Sequence, residues 1–94
     1  MAEVHWPIAT VRQLNAIAAY IRQFDQAAAR HLPARLFALG ESLEHFPHRG
    51  RPAHDGLRQL TNVPPYVLTY EVIGDRVTIL DVRHGRRLPY RRST

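Results

Sequence analysis

A run of β-branched and aromatic residues, broken once by glycine and ending in paired arginines, constrains this chain more than any other feature: YVLTYEVIGDRVTILDVRHGRR, residues 66–87. Residues 66–72 and 76–84 are rich in side chains that suit a pleated, half-buried surface, and Ile73-Gly74-Asp75 joins them. Glycine adopts the positive φ that short hairpin loops need and aspartate favours turns, so the pairing of the two strands is encoded locally. The second run has apolar residues on both faces, Val77 and Ile79 on one, Leu80 and Val82 on the other. That pattern predicts a central strand covered on both sides.

The first half of the chain supplies the cover. Residues 2–6 read as a short strand, with Val4 and Trp6 facing one way and Glu3 and His5 the other, and Pro7 marks its exit. Ile8, Val11, Leu14, Ile17, Ile21 and Phe24 then fall in steps of three and four, predicting a helix over 8–23. Asp25 is an N-cap candidate, and a second stripe at Ala29, Leu32, Leu36, Leu39, Leu43 and Phe46 predicts a helix over 26–46. So short a connection folds the two back as an antiparallel helical hairpin. Pro33 removes a backbone bond at a cost of roughly 3 kcal/mol and predicts a kink, because the stripe keeps its phase across it. Gly40 either weakens that helix or lets another group pack close.

Phe46-Pro47 ends the second helix, residues 48–56 (HRGRPAHDG) read as a loop, and 57–63 reads as a strand halted by Pro64-Pro65. The order is β-α-α-β-β-β. It describes an α+β fold, a helical hairpin packed on one face of a small, mainly antiparallel sheet. The 94 residues are expected to form one domain, 1–94, with residues 85–94 a basic tail that frays beyond Pro89.

Charge then narrows the chemistry. Residues 1–48 hold four arginines against four acids, whereas residues 49–94 hold nine arginines against Asp55, Glu71, Asp75 and Asp81, so all of the net +5 lies in the second half. Every base is arginine, the residue suited to planar, bidentate partners such as phosphate and carboxylate. Without cysteine or lysine, thiol, Schiff-base and thiolate–zinc chemistry are excluded. Ser42 and Ser93 have no glycine elbow around them, and no Gly-rich phosphate loop is present. Six histidines, at 5, 31, 45, 48, 54 and 84, show no H-E-x-x-H spacing, so neither a metal nor another cofactor is expected. No apolar run approaches the roughly 18 residues of a membrane span and no signal peptide opens the chain, so a cytoplasmic protein is expected. What remains are arginine clusters: Arg49 and Arg51 in the loop, Arg58 on the strand beside it, and Arg83, Arg86, Arg87, Arg91 and Arg92 at the end. They suit phosphate or an acidic protein surface, the plain alternative being a solvated basic tail.

In order along the chain, Trp6-Pro7, Ile17-Ala18-Ala19-Tyr20-Ile21, Ala27-Ala28-Ala29-Arg30, Phe46-Pro47, Gly50-Arg51-Pro52, Arg58 to Leu60, Pro65-Tyr66-Val67-Leu68 with Tyr70, Val77 to Leu80 and His84-Gly85-Arg86-Arg87 make a pattern. It closely resembles the ParE branch of the RelE/ParE toxins of bacterial toxin–antitoxin modules. The resemblance implies the fold already deduced. It also implies a cognate antitoxin with an acidic, amphipathic segment, a hetero-oligomer, operator DNA met only through that antitoxin, and no membrane. ParE-like toxins bind and stall DNA gyrase, with Arg58, Arg83, His84, Arg86 and Arg87 as the expected contacts here. RelE-like relatives instead cut mRNA on the ribosome, which would use Arg58, Arg87 and Tyr90. The nuclease pattern has arginine where this chain has Val67, and basic lysines where it has none. Those departures favour the gyrase inhibitor, with the nuclease second and a non-toxic co-repressor third.

Overall fold

The computed structural model describes residues 1–91, so expectations placed on Arg92, Ser93 and the end of the tail lie outside the described residues. In chain order the elements are β1 (Glu3–His5), α1 (Ile8–Arg22), α2 (Gln26–Glu41), β2 (Arg51–Pro52), β3 (Arg58–Leu60), β4 (Tyr66–Ile73) and β5 (Arg76–His84). Short 3-10 turns occupy Ser42–Glu44 and His54–Gly56. The sheet order is β1-β5-β4-β3-β2, with β1 parallel to β5 and every other pair antiparallel.

The hairpin closes as its residues demand. Ile73 faces Arg76 across the ladder, leaving a two-residue loop, and Gly74 takes its first position at a φ of 61°. A positive φ there matches the right-handed twist of the strands, and only glycine adopts it freely. At the far end Tyr66 faces His84.

One inserted residue overturns the expected two-faced pattern of β5. Thr69 faces Asp81 but Tyr70 faces Ile79, so Leu80 is the extra residue of a β-bulge. The bulge shifts the alternation by one, and Val82 joins Val77 and Ile79 in the core while Leu80 stays half-buried. The loop expected over 48–56 is corrected as well. Arg51 and Pro52 form β2, opposite Gln59 and Arg58, and β3 itself is shorter than the predicted 57–63.

Both helices lie against the sheet, but of the stripe predicted on α1 it is Leu14, Ile17 and Ile21 that pack into the core. Thr10, Leu14 and Ile21 are buried, whereas Ile8 and Phe24 at the ends of the expected stripe are 70% and 72% exposed. The reason is in the sheet. β1 pairs with β5 only as far as Thr78, which leaves the next edge groups of β5 without a strand partner. Thr10 Oγ1 donates to the Ile79 carbonyl at 2.7 Å and Gln13 Oε1 accepts from the Val82 N–H at 2.9 Å, so α1 finishes the work of β1.

On α2, Asp25 accepts the Ala28 N–H at 3.0 Å as the expected cap, and the helix continues as one element through Pro33. Leu36 and Leu43 are fully buried; Phe46, beyond the end of the helix, is 67% exposed and lies outside the stripe. Gly40 serves close packing. The Trp6 indole lies on it, stacked against Phe37 at 5.1 Å, and a Cβ would stand 2.8 Å from Cη2 and nearer still to Cζ2. Among the described residues, no helix is long and apolar enough to cross a membrane.

Candidate functional site

Most arginines of the basic half fall into two groups at different ends of the sheet, while Arg76, beside the hairpin turn, stands 3.9 Å from the Glu3 carboxylate. Around β2 and β3, Arg58 Nη1 donates to the Gly50 carbonyl at 2.7 Å and the His48 carbonyl at 3.1 Å. Arg49 Nη1 donates to Ser42 Oγ at 2.8 Å and Arg51 Nη2 to Gln59 Oε1 at 3.3 Å. Below them the fully buried Tyr70 hydroxyl accepts the Gly50 N–H at 2.9 Å and donates to the Pro47 carbonyl at 2.8 Å. Burial raises the Tyr70 pKa, against the Gly50 hydrogen bond and the Arg58 and Arg49 charges, so this phenol stays neutral. The arrangement is a strut under the 47–50 turn. A Cβ at Gly50 would stand 2.7 Å from that hydroxyl, so the turn passes only because the residue is glycine.

Toward the end of β5, Asp81 is 1% exposed and is gripped twice by Arg83, through Nε to Oδ2 and through Nη2 to Oδ1 at 2.7 Å. Gln13 Nε2 reaches the same carboxylate at 2.8 Å. The remaining Arg83 Nη1 donates to the Leu88 carbonyl at 2.8 Å, and the Tyr90 ring lies 5.8 Å from its guanidinium carbon. The Asp81 hydrogen bond raises the Arg83 pKa, against desolvation. Arg83 is thus a neutralised latch that folds the chain after β5 back onto the sheet.

Beside this latch a cleft of about 580 Å³ opens between α1 and the ends of β4 and β5. Ala16, Ile17, Tyr20, Tyr66 and Val82 make it apolar, and His84, Arg86 and Arg87 stand on its rim. Tyr66 is 8% exposed, and its pKa is raised first by burial and second by the Tyr20 phenol. The His84 ring meets it edge-on at 5.8 Å. The turn beyond has its amides occupied: Gly85 N–H donates to the Pro65 carbonyl at 2.7 Å, Arg86 N–H to His84 Nδ1 at 3.1 Å, and Arg87 N–H to the His84 carbonyl at 3.0 Å. By contrast the Arg86 and Arg87 side chains are exposed and make no hydrogen bond or ion pair among the described residues. Among the described residues no carboxylate lines the cleft. Each of these two guanidiniums keeps five donors in a planar fork beside apolar surface, an arrangement that can take an acidic partner carrying apolar side chains.

Of the expected contact residues, His84, Arg86 and Arg87 come together on the cleft, with Arg83 in its wall. Arg58 does not join them. It faces Tyr70, four residues along β4 from the Tyr66–His84 pair, which is about 13 Å at the rise of a strand. Of the nuclease set of Arg58, Arg87 and Tyr90, Arg58 thus stands apart with its Nη1 on backbone carbonyls, and the Tyr90 ring lies against Arg83. Val67, on the strand position where a nuclease would carry arginine, is half-buried opposite Arg83. Sequence reasoning did not identify the cleft floor. Ile17 and Tyr20 read only as helix, and Tyr66 only as strand. The hairpin register that sets Tyr66 across from His84 was the available signal. Among the described residues, no three His, Asp or Glu side chains are grouped to hold a metal ion.

Comparison with known proteins places this geometry. Residues 4–89 match the family model described as the ParE toxin of the type II toxin–antitoxin system, parDE. A curated relative from Caulobacter vibrioides, named Toxin RelE2, is 43% identical over 88 residues, which cover 94% of this chain and 100% of the relative. A solved chain described as the chromosomal ParDE TA system from P. aeruginosa superposes with a TM-score of 0.80 at 21% identity, covering 89% of this chain and 96% of that one. At that identity the likeness carries the fold alone.

Proposed function

The chain belongs to the ParE toxin family of type II toxin–antitoxin systems, and from that premise we propose that it arrests growth by binding DNA gyrase, with Arg86 and Arg87 as its contact arms. The observation that carries this reading is the pair itself: two guanidiniums without a partner among the described residues, at the rim of an apolar cleft and on a turn whose amides are occupied. A backbone turn held before contact loses little further conformational freedom on binding. His84 and Arg83 support the turn, and Arg58 belongs to the scaffold.

Family membership implies a cognate antitoxin. We take it to be acidic and amphipathic, forming a hetero-oligomer with the toxin and bringing operator DNA into play only through itself. A RelE-like ribonuclease is the second reading, and it has in its favour the name of the 43% identical relative, Toxin RelE2. Against it stand Val67, the absence of lysine, and the engagement of Arg58 with backbone carbonyls. Such chemistry needs a positioned acid and base as well as a free cation, and of Arg58, Arg87 and Tyr90 it is Arg87 that keeps its guanidinium open among the described residues.

Expression of the chain alone in a bacterium, followed by purified-gyrase supercoiling, tests the proposal. Filamentation with stalled gyrase complexes and inhibited supercoiling is expected. Prompt loss of translation with cleaved mRNA, and supercoiling untouched, would sink it.

A further inference from the structure

The turn that carries the arginine pair is tied to one titratable side chain. His84 Nδ1 accepts the Arg86 N–H at 3.1 Å, and its own carbonyl accepts the Arg87 N–H at 3.0 Å. The first of these bonds exists only while the ring is neutral with its proton on Nε2, because a protonated imidazole has no lone pair at Nδ1. The charged and titratable groups facing the ring are Arg83 on its own strand, Arg86 and Arg87 on the turn, Tyr66 on β4 and Tyr20 on α1. Arg83 is neutralised by Asp81, Arg86 and Arg87 are cations, and among the described residues no further carboxylate lines the cleft. Protonation therefore removes the tie and adds a positive charge beside the two of Arg86 and Arg87.

We propose that His84 is the positioning residue of the Arg86–Arg87 turn: its neutral ring fixes the pair at the cleft rim, and protonation releases it, so target binding strengthens as pH rises through the histidine range. Histidine is the side chain that ordinarily changes charge between pH 5 and 8. The bond runs from a side chain to the N–H two residues on, which is the geometry of an Asx turn, so asparagine can replace the tie without titrating. Leucine cannot. This inference rests on the reading of Arg86 and Arg87 as contact arms, and its test is arranged so that the two can fail separately.

The full-length toxin and its His84→Asn and His84→Leu variants are compared from pH 8 to pH 6 by two measurements: inhibition of gyrase supercoiling, and the NMR shift of the Arg86 amide. Wild type is expected to lose about fivefold in inhibition toward pH 6, the scale of one neutral hydrogen bond. Its Arg86 amide is expected to move with the His84 ring. His84→Asn is expected to stay near the wild-type pH 8 level throughout, and His84→Leu to sit at the weakened level throughout. An Arg86 amide that ignores the His84 titration overturns the proposal, as does a His84→Asn variant that keeps the wild-type pH profile, or wild-type inhibition that grows toward pH 6. If wild type inhibits gyrase at no pH, the gyrase reading fails, and the Arg86 amide alone decides whether His84 fixes the turn.

Discussion

Around β2 and β3, Arg49, Arg51 and Arg58 each rest on a neutral acceptor of the fold, whereas beyond β5 Arg86 and Arg87 have backbone amides tied down and side chains that are open among the described residues. Both groups read alike in the sequence, as arginine clusters without nearby acid. The fold separates them by what their donors already hold. A guanidinium that closes a turn through two carbonyls, as Arg58 does from Nη1, contributes to stability and is fixed in place by the fold, and a guanidinium on a tied turn without a partner among the described residues has the reverse character. Substitutions at the two ends should therefore act on different observables.

The largest stability loss is expected for Arg58→Ala. Removing two charge-assisted bonds leaves the Gly50 and His48 carbonyls without their donor, at about 3 kcal/mol, and urea unfolding of the purified chain checks it. An unchanged midpoint would erase the distinction between the two ends. Tyr70→Phe comes next, at about 2 kcal/mol, since the Gly50 N–H and the Pro47 carbonyl lose the same hydroxyl in a buried place.

The pH dependence of stability follows the two buried tyrosines, Tyr70 of the strut and Tyr66 of the cleft. Tyr66 and Tyr70 have raised pKa values, so above the ordinary tyrosine value of 10 the unfolded chain loses protons that the native chain keeps. Stability is then fully present below pH 10 and falls as pH rises beyond it. A thermal-melt series from pH 8 to 11 should show the decline in wild type and a shallower one in Tyr70→Phe. Smaller still is Arg51→Ala, an exposed residue with one 3.3 Å bond to Gln59, expected to stay within about 0.5 kcal/mol of wild type.

Much of this fold was legible because its signals are local. The Gly74 turn, the Asp25 cap, the 3-4 stripe of α2 and the order of elements each depend on a few adjacent residues. What sequence could not show depends on register. A bulge at Leu80 changes which of its neighbours enter the core, and no alternation pattern encodes an inserted residue. Thr10 is buried because a carbonyl on β5 needs its hydroxyl, a requirement written 69 residues away. β2 has two residues, one of them proline, and no period to detect. The site divides in the same manner. His84-Gly85-Arg86-Arg87 was readable as a basic end of the hairpin, but that Arg83 is latched to Asp81 and Arg58 to carbonyls is a matter of three-dimensional partners.

The central claim is that the open pair, and not the basic half as a whole, meets the target. Arg86→Ala combined with Arg87→Ala is the direct test, with the toxin concentration that halves gyrase supercoiling as the readout and thermal unfolding as the control for folding. The double variant should melt with wild type and need at least about 30-fold more protein, the scale of a 2 kcal/mol contact. A double variant that melts normally and inhibits at the wild-type concentration would contradict the account.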